Sequence, residues 1–261
     1  MIDLQNSRDH RKIAIDRVGI KGIKYPITVL DRANKQQTTT ATIDMFVDLP
    51  HEARGTHMSR FIEMLHVFRN EVSLKTFSLI LEEMKKQLNA RSAHIEVRFP
   101  YFIEKKAPVS GSAGLMCYNC GFIAKTLENG TSEVLMEIKV PITSLCPCSK
   151  EISDHGAHNQ RGEVMLVTRF KTFIWMEEMI SLVESAASCE VYSILKRSDE
   201  KHVTEKAFAN PKFVEDIVRD IALALDQDDN ITWFRVSVEN FESIHNHSAY
   251  ADISRDKSSP K

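Results

Sequence analysis

Two cysteines, two histidines and two acids fall within the seventeen residues Leu145-Cys-Pro-Cys-Ser-Lys-Glu-Ile-Ser-Asp-His-Gly-Ala-His-Asn-Gln-Arg161. Thiolate and imidazole are the side chains that hold zinc, iron or manganese, and a thiolate is also a nucleophile. Apolar packing gives no reason to gather Cys146, His155, His158, Lys150, Glu151 and Arg161 in one short stretch, so its chemistry is that of a metal site or a reactive thiol.

Three other stretches carry chemistry less directly. Cys117-Tyr-Asn-Cys120 taken with Cys146-Pro-Cys148 offers four sulfurs for a structural zinc. However, residues 115 to 123 read as a strand, whose alternation sends Cys117 and Cys120 to opposite faces. Leu195-Lys-Arg-Ser-Asp-Glu-Lys-His202 reads as a solvated polar loop between two helices, and Glu215 reads as a surface ion pair with Arg219. Glu242-Ser-Ile-His-Asn-His247 is expected on a strand, with His245 and His247 on one face and Glu242 on the other.

The elements that must position these groups follow from periodicity. Strands are expected at residues 26 to 31 and 38 to 49 as an opening hairpin, then helices at 59 to 68 and 73 to 88, and strands near 93 to 102, 113 to 125 and 132 to 143. The Cys146 stretch leaves the last of these as a loop. A strand at 163 to 170, a helix at 175 to 186, a helix at 211 to 225 capped by Asn210 with Pro211 in its first turn, and strands near 231 to 239 and 244 to 253 complete the chain. The order strand, strand, helix, helix, strand, strand occurs twice, which predicts two tandem α+β modules, 1–128 and 129–261, meeting at a turn, with a disordered tail from 254 to 261.

Composition sets the outer bounds. The 261 residues carry a formal net charge of −2 with 43% hydrophobic and 27% charged residues, a globular balance without the basic excess that nucleic-acid binding requires. No apolar run reaches membrane-spanning length and the N-terminus has no signal-peptide core, so a cytoplasmic protein with no membrane partner is expected. Five cysteines, an odd number, suit a reducing compartment, with Cys189 as a buried thiol.

The Cys146 segment, Gly156-Ala-His-Asn-Gln-Arg161, Glu200 in Lys196-Arg-Ser-Asp-Glu, Asn210-Pro-Lys-Phe-Val-Glu-Asp216 and Glu242-Ser-Ile-His-Asn-His247 together resemble the type IB GTP cyclohydrolase I family, as does Arg54-Gly-Thr-His-Met-Ser-Arg-Phe61. The resemblance runs in order over nearly the whole chain. It implies a tunnelling fold, in which units of antiparallel sheet plus two helices assemble into barrels, and conversion of GTP to 7,8-dihydroneopterin triphosphate and formate.

By motif it implies that Cys146, His158 and Glu200 ligate a divalent metal (manganese, zinc or iron) that activates water for attack at purine C8. It further implies that Glu215 anchors the guanine edge, that Glu242 and His245, with His247 nearby, serve in acid/base steps, and that the triphosphate meets cations drawn from Lys150, Arg161, Lys196 and Arg197. Lys201, Arg54 and Arg60 are further candidates. A homotetramer with sites at subunit interfaces is the implied assembly. Two rival readings are a tunnelling-fold nitrile reductase, with a cysteine nucleophile and NADPH, and a non-enzymatic zinc-stabilised interaction module. The reductase's Glu-Ser-Lys-Ser-type motif is absent from the chain.

Overall fold

The computed structural model describes residues 5, 7–68, 74–127 and 129–258. The expected helix start at Ser73, the boundary residue Glu128 and the tail residues 259 to 261 lie outside the described residues. The chain divides into two compact units, the first formed by residues 1–100 and 121–135, the second by 101–120 and 136–261.

The first unit opens with the hairpin of β1 (Ile15–Asp31) and β2 (Lys35–Leu49), paired antiparallel from Asp31 opposite Lys35. β1 begins well before residue 26, where the alternation of β-branched residues becomes obvious in the sequence. The turn closes because the Asp31 carboxylate accepts the backbone N–H groups of Ala33 and Asn34 at 2.8 and 2.7 Å, the local competition that acidic residues offer in turns. β2 alternates buried and half-exposed residues, placing Ala41, Ile43, Met45 and Val47 in the core. It pairs with β3 (Ala93–Lys106), and α1 (Met58–Phe68) and α2 (Leu74–Leu88) add Phe61, Met64, Leu81 and Met84 to that apolar layer.

The second unit repeats the recipe. β5 (Ser132–Leu145), β6 (Asn159–Phe170), β8 (Ile231–Asn240) and β9 (Ala249–Asp256) pair antiparallel in that order. β4 (Ala113–Thr126) precedes them, and the two-residue β7 (Cys189–Glu190) pairs with the end of β5. Helices α4 (Met176–Ala186) and α6 (Val214–Gln227) bury Met179, Ile180, Val183, Ile217, Val218, Ile221 and Leu225, while Ile138, Val140, Val164, Phe234 and Val236 face inward from the strands. Burying a side chain of this size contributes about 1.5–3 kcal/mol, set against the entropy cost of ordering the chain.

Several expectations are corrected. The Cys146 stretch is not all loop: it contains α3 (Pro147–Ile152). The polar run expected as a loop is α5 (Arg197–Ala209), helical because the Asp199 carboxylate accepts the Lys196 N–H at 2.8 Å in its first turn. Asn210 consequently closes α5 instead of opening the next helix, and α6 starts only at Val214, with Phe213 at its N-cap. Residues 241–248 are irregular, with bends at 243–247, rather than a strand, so Glu242, His245 and His247 sit on a loop. β9 runs on to Asp256, into what was expected as tail. Cys117 is exposed and Cys120 buried, as strand alternation requires, which removes the four-cysteine zinc ribbon. Cys189 is buried as expected, and burial followed by the Glu190 carboxylate pushes its thiol up to about 11.

Candidate functional site

The site lies in the second unit, where the ends of β5, β6 and β8 meet the start of α6. Cross-strand register explains which side chains share the face. Ser144 pairs with Gln160, and Gly162 pairs with both Ile142 and Asn240. A period of two then puts Ser144 and Cys146, His158 and Gln160, and Asn240 on one side of the sheet end. The ladder runs one step past β5, since the Cys146 N–H donates to the His158 carbonyl at 3.1 Å. Cys146 and His158 are therefore neighbours by strand pairing, although twelve positions separate them.

Cys146 is also the N-cap of α3, with Pro147 in the first turn, and its sulfur accepts the Ser149 N–H at 3.5 Å. The Ser149 hydroxyl accepts the His158 N–H at 3.2 Å and donates to the Cys146 carbonyl at 3.2 Å, tying the two together. His158 is mostly buried: its Nδ1 lies 3.0 Å from Gln160 Oε1, 3.5 Å from Ser243 Oγ and 4.0 Å from Glu242 Oε2.

Beneath it is a polar floor. Ser144 Oγ donates to the Lys212 carbonyl at 2.9 Å and accepts from Asn240 Nδ2 at 2.9 Å and Gln160 Nε2 at 3.4 Å. Gly162 permits this arrangement, because a Cβ there would stand 2.4 Å from Asn240 Oδ1. Lys212 is strapped to the same strand end by its N–H, which donates to the Leu145 carbonyl at 3.0 Å, and this fixes where α6 begins.

A cavity of about 230 Å³ opens on this floor, lined among others by Cys146, Gln160, Glu215, Asn240, Glu242 and Tyr250. Three of the expected site residues, Cys146, Glu215 and Glu242, thus line one cavity, and His158 Nδ1 stands 4.0 Å from Glu242 Oε2. Glu215 is turned to this use by its place in the first turn of α6, and among the described residues no ion pair joins it to Arg219.

The remaining candidates are placed differently. Glu200 is exposed on α5, outside the cavity lining, as are Lys196 and Arg197 at that helix's start. Arg161 is exposed. The Lys150 ammonium donates to the Phe208 carbonyl at 2.5 Å and stands over the Phe208 ring at 4.5 Å. His245 and His247 are exposed, their rings stacked at 5.1 Å. Arg54 and Arg60 belong to the first unit. α5 is held beside the site by a small apolar cluster of Leu145, Cys189 and Ala207 and by the Asn210 amide, which donates to the Ala187 carbonyl at 3.0 Å. Gln160, Ser144 and Asn240 had no signal in the sequence, because serine and amide side chains are common and strand register alone brings these three together.

Among the described residues of one chain, no three Cys, His, Asp or Glu side chains converge closely enough to hold an ion. The donors present nonetheless suit one in kind. Cys146 and Glu242 line one cavity and His158 neighbours both, through the Cys146 backbone and by an Nδ1 that lies 4.0 Å from Glu242 Oε2, so thiolate, imidazole and carboxylate, a mixed set that divalent transition metals accept, belong to one neighbourhood.

Comparison with known proteins gives the family and the fold. The sequence profile described as type I GTP cyclohydrolase folE2 matches residues 1–251. The chain is 64% identical over 260 residues to GTP cyclohydrolase FolE2 of Desulfosudis oleivorans, covering all of both chains. It is 57% identical to that of Syntrophus aciditrophicus, covering 98% of this chain and all of the relative. Among solved structures, uricase from Arthrobacter globiformis superposes with a TM-score of 0.57 at 9% identity, over 94% of this chain and 96% of that one. Urate oxidase from Bacillus sp. TB-90 does so at 0.53, also at 9% identity, over 93% and 100%. At such identities the likeness is one of fold, the α+β tunnelling fold built from tandem antiparallel-sheet-plus-two-helix modules. Matched along nearly its whole length by the profile and at high identity by these relatives, the chain belongs to the type I GTP cyclohydrolase FolE2 family.

Proposed function

We propose that the cavity beside Cys146 is where the family's reaction takes place. That reaction converts GTP to dihydroneopterin triphosphate in folate biosynthesis. With one water consumed, C8 of the purine leaves as formate. The observation that carries the assignment is the shared lining: Cys146, Glu215 and Glu242 face one space, with His158 beside them.

In this reading the Glu215 carboxylate accepts the guanine N1–H and 2-amino donors, two charge-assisted hydrogen bonds that orient the purine. The triphosphate then lies outside the cavity, among Arg161, Lys196, Arg197 and, after release from Phe208, Lys150. A divalent ion (manganese, zinc or iron) would be held by Cys146, His158 and Glu200 and would supply Lewis acidity that activates water near C8. Glu242 stands close enough to His158 to act as the carboxylate if Glu200 stays outside. Glu242 and His245 receive and return protons during ring opening and reclosure, and the near-burial of Glu242 keeps bulk water from competing for them.

A homotetramer with sites completed between subunits belongs to the same proposal. Phe213, Phe241, Ile244 and Tyr250 are large apolar side chains left exposed on or beside the site segments, and β9 follows β8 at the end of the strand order with one edge unpaired among the described residues. Among the described residues no helix is long and apolar enough to cross a membrane. A cytoplasmic location is part of the proposal, supported by five free thiols.

The test is GTP turnover by metal-stripped protein re-supplied with manganese, zinc or iron, reading formate and pterin fluorescence. Metal-dependent pterin that disappears in Cys146→Ala is expected. An assembled protein that makes none with any metal would end this reading and revive the nitrile reductase, which NADPH consumption would reveal.

A further inference from the structure

We infer that Ser144 and Gln160 are positioning residues that set the tautomer of His158, keeping its proton on Nδ1 so that Nε2 offers a bare lone pair to whatever the site binds. The inference rests on the reading of His158 as a site residue, but its argument comes from hydrogen-bond direction alone.

The direction is set at the far end of the chain of contacts. The Lys212 carbonyl can only accept, so the single Ser144 hydroxyl proton goes to it, at 2.9 Å. Ser144 Oγ is then an acceptor for its other two neighbours, Asn240 Nδ2 at 2.9 Å and Gln160 Nε2 at 3.4 Å. With the Gln160 amino group turned toward Ser144, its carbonyl faces the opposite way and meets His158 Nδ1 at 3.0 Å. A carbonyl cannot donate, so Nδ1 must carry the hydrogen and the neutral ring is left with an acceptor at Nε2.

Rotating the Gln160 amide would set its oxygen against a Ser144 oxygen whose proton is already committed, and would face its amino group toward the ring. Glu242 Oε2 at 4.0 Å and Ser243 Oγ at 3.5 Å approach the same nitrogen, and both are compatible with Nδ1–H.

Asn240 obeys the same rule. With Nδ2 toward Ser144 it leaves Oδ1 buried with no hydrogen-bond partner among the described residues, and turning over would set that oxygen against a Ser144 oxygen whose proton is already committed. The fold accommodates it through Gly162, the residue whose missing Cβ makes room for that oxygen. The arrangement matches the general pattern in which a ligand histidine is oriented by an acceptor on its second nitrogen, and loss of such a partner typically weakens metal binding about 10–100-fold.

The test is two-bond 1H–15N correlation on metal-free protein with labelled histidine, at a pH of about 8 where imidazole is neutral. The His158 signal is identified by its loss in His158→Asn. A pyrrole-type Nδ1 and pyridine-type Nε2 are expected in the unsubstituted protein. In Gln160→Leu the oriented acceptor is gone and the Ser243 hydroxyl, which can donate or accept, becomes the nearest partner, so a population with the proton on Nε2 appears and Zn2+ affinity drops about 10–100-fold. Gln160→Glu, which keeps an acceptor opposite Nδ1, restores the tautomer.

Ser144→Ala removes the direction-setting group without touching Gln160 and yields mixed tautomers, which covers the case that Gln160→Leu does not fold. An Nε2–H imidazole in the unsubstituted protein, or an unchanged tautomer in folded Gln160→Leu or Ser144→Ala, overturns the inference. If the tautomer is as stated but no metal supports GTP turnover, the inference stands and the cyclohydrolase assignment of the site fails, so the two are separable.

Discussion

Glu215 is a carboxylate at the first turn of a helix, where the backbone N–H groups favour negative charge, and it lines the cavity of about 230 Å³. If it takes the guanine edge, Glu215→Gln replaces one acceptor with a donor that opposes the purine's own. Hydrogen bonds to a charged group contribute about 1.5–3 kcal/mol each, so kcat/KM for GTP should fall on the order of 10²-fold or more, with the thermal melt unchanged. Steady-state kinetics beside a melting curve checks this, and equal kcat/KM would remove Glu215 from the site. Cys146, His158 and Glu242 were legible as residues because rare types crowd together in the sequence around them. Glu215 was not legible from residue physics, since an acid followed by an arginine at i+4 describes most surface helices, and only the family motif singled it out. Ser144, Gln160 and Asn240 were invisible because their role is made of hydrogen-bond direction across three strands.

Helix α5 shows how an element misread from composition is built by one buried acid. Its sequence is polar nearly throughout, and only Ala207 and Asp199 are buried, so no apolar stripe announces it. Asp199 instead accepts four hydrogen bonds at its carboxylate: Val109 N–H and Ser110 N–H at 2.8 Å, the Ser110 hydroxyl at 2.6 Å and the Lys196 N–H at 2.8 Å. Burial disfavours the charged form, but these donors outweigh it and hold the carboxyl well below the usual carboxylate range. A depressed folded pKa stabilises the protein fully above a pH of about 4 and loses that stabilisation as pH falls toward the folded value. Asp199→Asn should therefore melt lower than the unsubstituted protein at pH 7, and the gap should narrow at pH 3. A gap that is constant with pH would mean the effect is steric. The same substitution loosens the helix that carries Lys196, Arg197 and Glu200, so weaker triphosphate binding should accompany the lower melt.

At the scale of the molecule, each unit has its own apolar layer, with Met45, Phe61, Leu81 and Ile95 in the first and Ile138, Val140, Ile217 and Phe234 in the second. Two such layers predict a chain that folds without a metal. Chelation should silence turnover while moving the melting temperature by only the few degrees that ligand linkage provides. Cooperative unfolding on chelation would instead favour the zinc-stabilised module. The sequence alone determined most of the alternating strands, the amphipathic helices α1, α2, α4 and α6 and the rare side chains available for chemistry, because each is written in local periodicity or residue type. Tertiary structure decided which of those side chains meet. Strand register set Cys146 beside His158, the strap from Lys212 to Leu145 placed Glu215 over the same cavity, and burial of Asp199 turned a polar run into a helix. Register, straps and burial are set by pairings across the fold, such as Lys212 with Leu145 and Asp199 with Val109 and Ser110, which local periodicity does not encode.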